Sequence, residues 1–201
     1  IPENPDPVDE KTENHSVEPE VKKYDPKIIA SNLASTYNGG VYYNVKVYGT
    51  DGNPAGGKSV TFKLNGKKLT AVKTDSKGVA KVKITSTPGS YKITSTSLGV
   101  SVTKKLTIRQ VLKLTKVTPK KSAKKLVLTA SLVKVNGKYL KGKTIVFRFS
   151  GKNYKVKTNG KGIAKLTIKS NVLKKLKAGK KITYQATYLK CTVKRSAKVI
   201  K

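Results

Sequence analysis

Beyond residue 25 this chain of 201 residues has almost no acid: only Asp51 and Asp75 follow, against 41 Lys and Arg. Residues 109–201 hold 28 basic side chains and no carboxylate side chain. The single histidine, His15, lies among the acids of the N-terminal stretch, and Asp51 and Asp75 each open a Gly-containing turn, where Asp is a routine turn former. A paired-carboxylate site, a Ser-His-Asp triad or a zinc site therefore has no set of residues to draw on, and neither catalysis nor a cofactor is expected. One cysteine, Cys191, excludes an internal disulfide and suits either a cytosolic chain or an exported one built without disulfides. There is no Trp and no Met, so a core must come from Val, Ile, Leu and a few Phe and Tyr. Only Arg109, Arg148 and Arg195 carry the guanidinium fork that reads bases and phosphates, which excludes sequence-specific nucleic-acid recognition from the expectations. No apolar run approaches the roughly 18 residues of a membrane span, so no membrane insertion is expected within this fragment. A start at Ile1 with no signal-peptide pattern is expected of a piece cut from a longer protein.

What is present is charge, unevenly placed. Eight of the ten acids, Glu3, Asp6, Asp9, Glu10, Glu13, Glu18, Glu20 and Asp25, fall in the first 25 residues among prolines. Residues 1–24 bury too little apolar surface to offset their ordering entropy and read as a disordered, Pro/Glu-rich linker. The remainder repels itself and seeks a polyanion.

The rest of the chain reads twice. Asp51-Gly-Asn-Pro-Ala-Gly-Gly-Lys-Ser-Val-Thr-Phe aligns with Asn136-Gly-Lys-Tyr-Leu-Lys-Gly-Lys-Thr-Ile-Val-Phe. Thr74-Asp-Ser-Lys-Gly-Val-Ala aligns with Thr158-Asn-Gly-Lys-Gly-Ile-Ala, and Lys92-Ile-Thr with Lys181-Ile-Thr. The chain thus holds one module in two copies, residues 25–109 and 110–201, the second strongly basic. Strands are expected at 27–33, 41–48, 59–64, 68–73, 79–85, 90–96 and 100–108, then at 111–117, 126–133, 144–149, 154–157, 163–169, 182–188 and 191–200. A turn or two of helix is expected at 171–177. Val41, Tyr43, Val45 and Val47 alternate with polar neighbours, the period of a sheet with one wet face. The fold class is all-β: two tandem immunoglobulin-like antiparallel β-sandwiches of about seven strands each, behind the acidic linker. With no Gly, Pro or Ser between Ile108 and Val111, the modules are expected end to end as a stiff rod.

The stretches from Asp51 to Phe62, Asn65-Gly-Lys, Thr74-Asp-Ser-Lys-Gly-Val-Ala and Pro88-Gly-Ser-Tyr-Lys-Ile resemble bacterial-type immunoglobulin-like (Big) repeats. The Lys-rich version is most similar to repeats in adhesin-like surface proteins of methanogenic archaea. In the second copy Lys138-Tyr-Leu replaces Asn-Pro-Ala and the Pro-Gly before the sixth strand is absent. The resemblance implies an extracellular, cell-wall-associated spacer or adhesive role and supplies no catalytic residues.

Two loops stand apart from lysines spread along strands: Pro119-Lys-Lys-Ser-Ala-Lys-Lys125 and Lys174-Lys-Leu-Lys-Ala-Gly-Lys-Lys181. In a sandwich of this topology both fall at the end where the last strand finishes. The candidate polyanion-binding residues are Lys120, Lys121, Lys124, Lys125, Lys174, Lys175, Lys177, Lys180, Lys181 and Lys198, the alternative being nonspecific basic character spread over the whole surface. The expected function is a non-catalytic, adhesin-like module pair, a rigid spacer and electrostatic anchor to an anionic cell-wall polymer or an acidic surface glycan. Candidate surfaces are the cell's own wall, a host cell and a neighbouring cell, and the chain is expected to be a monomer. Two alternatives are a carbohydrate-binding module stacking sugar on Tyr, and a nonspecific nucleic-acid binder. Cys191 aligns with the inward-facing Val100 and reads as a small buried hydrophobe. An internal Lys–Asn cross-link is not expected, because the second copy has no acid to promote it.

Overall fold

A computed structural model of the chain describes residues 20–201; residues 1–19 of the expected linker lie outside the described residues. Tyr24, at that linker's end, is anchored on residues 50–52. Its backbone N–H donates to the Thr50 carbonyl at 2.7 Å, and its ring lies so close to Gly52 that a Cβ there would meet it at 2.9 Å.

Residues 27–109 form one sandwich. Its strands are β1 (Lys27–Ala30), β2 (Leu33–Thr36), β3 (Tyr42–Tyr48), β4 (Ser59–Leu64), β5 (Lys67–Lys73), β6 (Val79–Lys83), β7 (Gly89–Ser97) and β8 (Val100–Arg109). They make the sheets β1-β3-β6 and β2-β8-β7-β4-β5. Alternate residues supply the core: Tyr43, Val45 and Val47 from β3, Val60 and Phe62 from β4, Ile93 from β7, Leu106 and Ile108 from β8. Burying each of these larger apolar side chains contributes roughly 1.5–3 kcal/mol.

The second sandwich repeats the plan with β9 (Leu112–Leu114), β10 (Lys125–Leu132), β11 (Thr144–Phe149), β12 (Lys152–Lys157), β13 (Ile163–Lys169), a short helix α1 (Ser170–Leu173), β14 (Lys181–Tyr188) and β15 (Cys191–Lys198). Its sheets, β9-β10-β13 and β12-β11-β14-β15, match β1-β3-β6 and β5-β4-β7-β8 strand for strand. The architecture is all-β and immunoglobulin-like, two sandwiches in tandem.

Three details differ from the sequence expectation. The strand expected at 27–33 is two strands, because the chain crosses between sheets at Ser31-Asn32, and β2 runs parallel to β8. Asn32 covers the break: its Oδ1 accepts the Lys105 N–H at 2.8 Å. In the second module the expected strand at 111–117 shortens to β9. Beyond it the Val117 N–H goes to the Tyr184 hydroxyl at 2.7 Å, and Pro119 has no N–H to give a ladder. Finally, the hairpins pair Ser97 with Val100 and Tyr188 with Cys191, which sets Lys92 opposite Thr183 in the repeat and not opposite Lys181. The Lys-Ile-Thr identity is a coincidence two residues out of register; by the hairpin, Ile93 matches Tyr184.

The repeated turn motif has a physical reason. Thr74, buried, donates its hydroxyl to the Ala55 carbonyl and accepts the Lys58 N–H at 2.9 Å; Thr158 does the same with Leu140 and Lys143. The next residue closes the turn. Asp75 Oδ1 accepts the N–H of Lys77 and of Val79, both at 2.9 Å, and Asn159 accepts those of Lys161 and Ile163 at 2.9 and 3.0 Å. The Val79 N–H first, then that of Lys77 and the nearby lysines, hold the Asp75 carboxyl below its ordinary range. A depressed folded-state pKa stabilises above the unfolded value of about 4 and is lost as pH falls through the folded value. The Asp75→Asn variant, which borrows the second module's residue, should therefore lose less stability between pH 5 and pH 3 than the natural chain in denaturant melts. Asp51, lowered mainly by the Asn53 N–H, contributes dependence of the same sign.

The modules also differ in their cores. The Tyr43 hydroxyl and Ser95 Oγ are buried without a hydrogen-bond partner, where the second module has Leu128 and Ala186. The Tyr43 ring itself packs edge-on to Phe62 at 6.3 Å. Tyr43→Phe keeps that packing and removes an orphaned polar group, so it should raise stability by about 1 kcal/mol in an equilibrium melt.

Candidate functional site

Both ends of the second module can be placed through its repeat relation to the first. The first module's turn after β2 is tied to that module's own last strand by the Tyr37 N–H, which donates to the Arg109 carbonyl at 3.0 Å, and it touches the second module through Asn136, whose Nδ2 donates to the Gly39 carbonyl at 3.2 Å. Tyr37 is buried. The second module's counterpart of that turn is residues 121–125, at its other end. There Lys121-Ser122-Ala123, followed by Lys124 and Lys125, stands in place of Tyr37-Asn38-Gly39.

Backbone bonds bring the lysine segments together around the end of the last strand. On one side the Ile200 N–H donates to the Pro119 carbonyl and the Lys121 N–H to the Ile200 carbonyl, both at 2.9 Å. On the other the Val199 N–H donates to the Lys180 carbonyl at 2.9 Å and the Gly179 N–H to the Val199 carbonyl at 2.8 Å. Residues 170–180, longer than the plain loop of the first module, are pinned from below. Leu173 is fully buried and Leu176 nearly so, while Lys174, Lys175 and Lys177 between and after them stay exposed. All ten candidate lysines are exposed.

Their arrangement costs the fold something. Lys125 lies directly across from Lys169 and Lys181 directly across from Lys198, the only opposed basic pairs in the second module's ladders. Like charges in such positions destabilise a sheet. Lys169, at the last position of β13, was not among the residues singled out from the sequence, where it reads as one more strand lysine. Only the β10–β13 register places it beside Lys125.

Elsewhere, Cys191 is 1% exposed and starts β15 facing inward, and burial pushes its thiol up to about 11. Since the thiolate is the nucleophile, the folded chain at pH 8 should resist alkylation by iodoacetamide for hours and take up one equivalent once unfolded in guanidinium. Rapid labelling of the folded chain would contradict this. The half-exposed tyrosines Tyr24, Tyr42 and Tyr139 sit on the entry segment, on β3 and in the loop before β11, so they form no shared row. Among the described residues no three His, Cys, Asp or Glu gather to hold a metal ion, and no helix is long and apolar enough to cross a membrane.

No protein-family model and no curated protein matches the sequence. Solved structures do. The I9–I11 tandem of titin is similar over 87% of this chain at 12% identity and a TM-score of 0.48, and the chain spans 66% of it. Invasin, a bacterial integrin-binding protein, is similar over 88% of the chain at 15% identity and a TM-score of 0.40, with 39% of its own chain covered. The Yersinia pseudotuberculosis adhesin InvE is similar over 86% at 13% identity and a TM-score of 0.35, with 58% of its chain covered. The chain thus spans less than two thirds of the length of each.

Proposed function

We propose that the chain is a non-catalytic, adhesin-like module pair that acts outside the cell as a rigid spacer and electrostatic anchor. Its ligand is an anionic cell-wall polymer or an acidic surface glycan, met at the end of the second module. The observation that carries this reading is the gathering of ten exposed lysines around Val199 and Ile200 in a stretch, residues 109–201, with no acidic side chain. The hydrogen bond from Asn136 to the Gly39 carbonyl supports the spacer part, because it ties one module to the other. Lysine, a compact hydrated charge, suits attraction to a polymer of repeated negative charge.

The test is a side-by-side binding titration with purified anionic wall polymer, a neutral glycan and duplex DNA at several salt concentrations. Wall polymer should bind most tightly at each salt, with affinity falling steeply as salt rises, and the neutral glycan should not bind. Preference for DNA would replace this reading with that of a nonspecific nucleic-acid binder. Salt-independent binding of the neutral glycan would favour a carbohydrate-binding module.

A further inference from the structure

The first module holds a second basic cluster of a different kind, on the wet face of its larger sheet. Lys92 of β7 and Lys105 of β8 lie directly opposite one another. Each has its backbone N–H taken by an asparagine from the flanking chain: Asn65 Oδ1 accepts that of Lys92 and Asn32 Oδ1 that of Lys105, both at 2.8 Å. Both amide oxygens are thus committed, which orients the two side chains and leaves their Nδ2 groups as donors. Two residues further on, on the same face, the Thr94 and Thr103 hydroxyls bond each other at 2.8 Å, leaving one hydroxyl hydrogen for a third group. Asn32, Asn65, Lys92 and Lys105, with Thr103 and Lys104, line an open depression of about 690 Å³.

The repeat supplies a control. At the same places on the same sheet the second module has Thr183 opposite Ser196, hydroxyl to hydroxyl at 3.1 Å. The fold therefore does not require two lysines there, and setting like charges face to face works against it. Two facing ammonium groups favour a carboxylate between them, and oriented amide and hydroxyl donors beside them suit sugar hydroxyls.

We propose that this depression binds a carboxylate-bearing saccharide, with the carboxylate between Lys92 and Lys105 and ring hydroxyls on Asn32, Asn65 and Thr103. The site stands apart from the lysine-rich end of the second module and takes a single acidic residue of a glycan in preference to a length of charged polymer.

The experiment is an amide NMR titration of the full chain, with Lys120, Lys121, Lys124 and Lys125 changed to Ser to quiet the far end. The probes are tetragalacturonate and its methyl ester. Tetragalacturonate should shift the backbone amides of Lys92 and Lys105 and the side-chain amides of Asn32 and Asn65, and the ester should bind at least ten-fold more weakly. The double variant Lys92→Thr, Lys105→Ser carries the residues of the second module, which fold in that place, and should lose these shifts with its spectrum otherwise intact. Asn32→Ala should weaken binding at least three-fold. Shifts spread evenly over the lysines, equal binding of the ester, or full affinity in the double variant would each overturn the proposal.

Discussion

Changing Lys120, Lys121, Lys124 and Lys125 to serine should lower affinity for long-chain polyphosphate about thirty-fold or more near 0.1 M salt. The same loss of charge at Lys152, Lys155, Lys157 and Lys165, exposed on β12 and β13, should cost less than about three-fold. The contrast comes from the range of the interaction. At such salt a charge acts over a Debye length of about 10 Å, so only lysines close to the bound polymer release counterions from it. The first set flanks Ile200 and the start of β10, beside the helix-bearing segment that presents Lys174, Lys175 and Lys177. Removing four contacts from that group should also reduce the slope of log affinity against log salt by about 3. Equal losses in the two variants would mean that the chain attracts polymer by total charge alone, and the anchor at the end of the second module would fall.

What could be read from the residues, and what could not, divides along periodicity. Period-two alternation in Val41 to Val47 and in Val60 to Leu64 is written by the core itself, and β3 and β4 lie where it says. The turn residues Thr74-Asp75 and Thr158-Asn159 repeat because a buried hydroxyl and a side-chain oxygen each satisfy backbone groups in both copies. The break after Ala30 left no such mark. A strand that changes sheets keeps the same composition, and the Asn32 oxygen that replaces a ladder bond reads in the sequence as an ordinary polar residue. The Tyr184 hydroxyl likewise bonds Val117, 67 positions away, a contact that no local pattern records. The lysine segments were visible as runs. Their convergence depended on topology, and Lys169 joined them only through the strand register. The cluster of Asn32, Asn65, Lys92 and Lys105 was hidden for the same reason, since its members come from four separate stretches of chain.

Leu173→Ala should be the most damaging single substitution in the second module's lysine-bearing segment, at about 2–5 kcal/mol. The side chain is fully buried, and α1, which carries it, packs on β10 and β13 where both approach the lysine-rich end. Its removal leaves a cavity that the short helix cannot close, since the backbone on either side is held by the strand bond of Lys125 with Lys169 and by the Val199–Lys180 bond. Denaturant unfolding should show the loss in the second module's transition, with the first module's core unchanged; a cost below about 1 kcal/mol would mean that residues 170–180 are a loose loop and not part of the core. The substitution alters no charge. Under conditions where the variant stays folded, a drop in polyphosphate affinity would therefore report the positions of Lys174, Lys175 and Lys177 and not their number, which separates a built surface from a merely basic one.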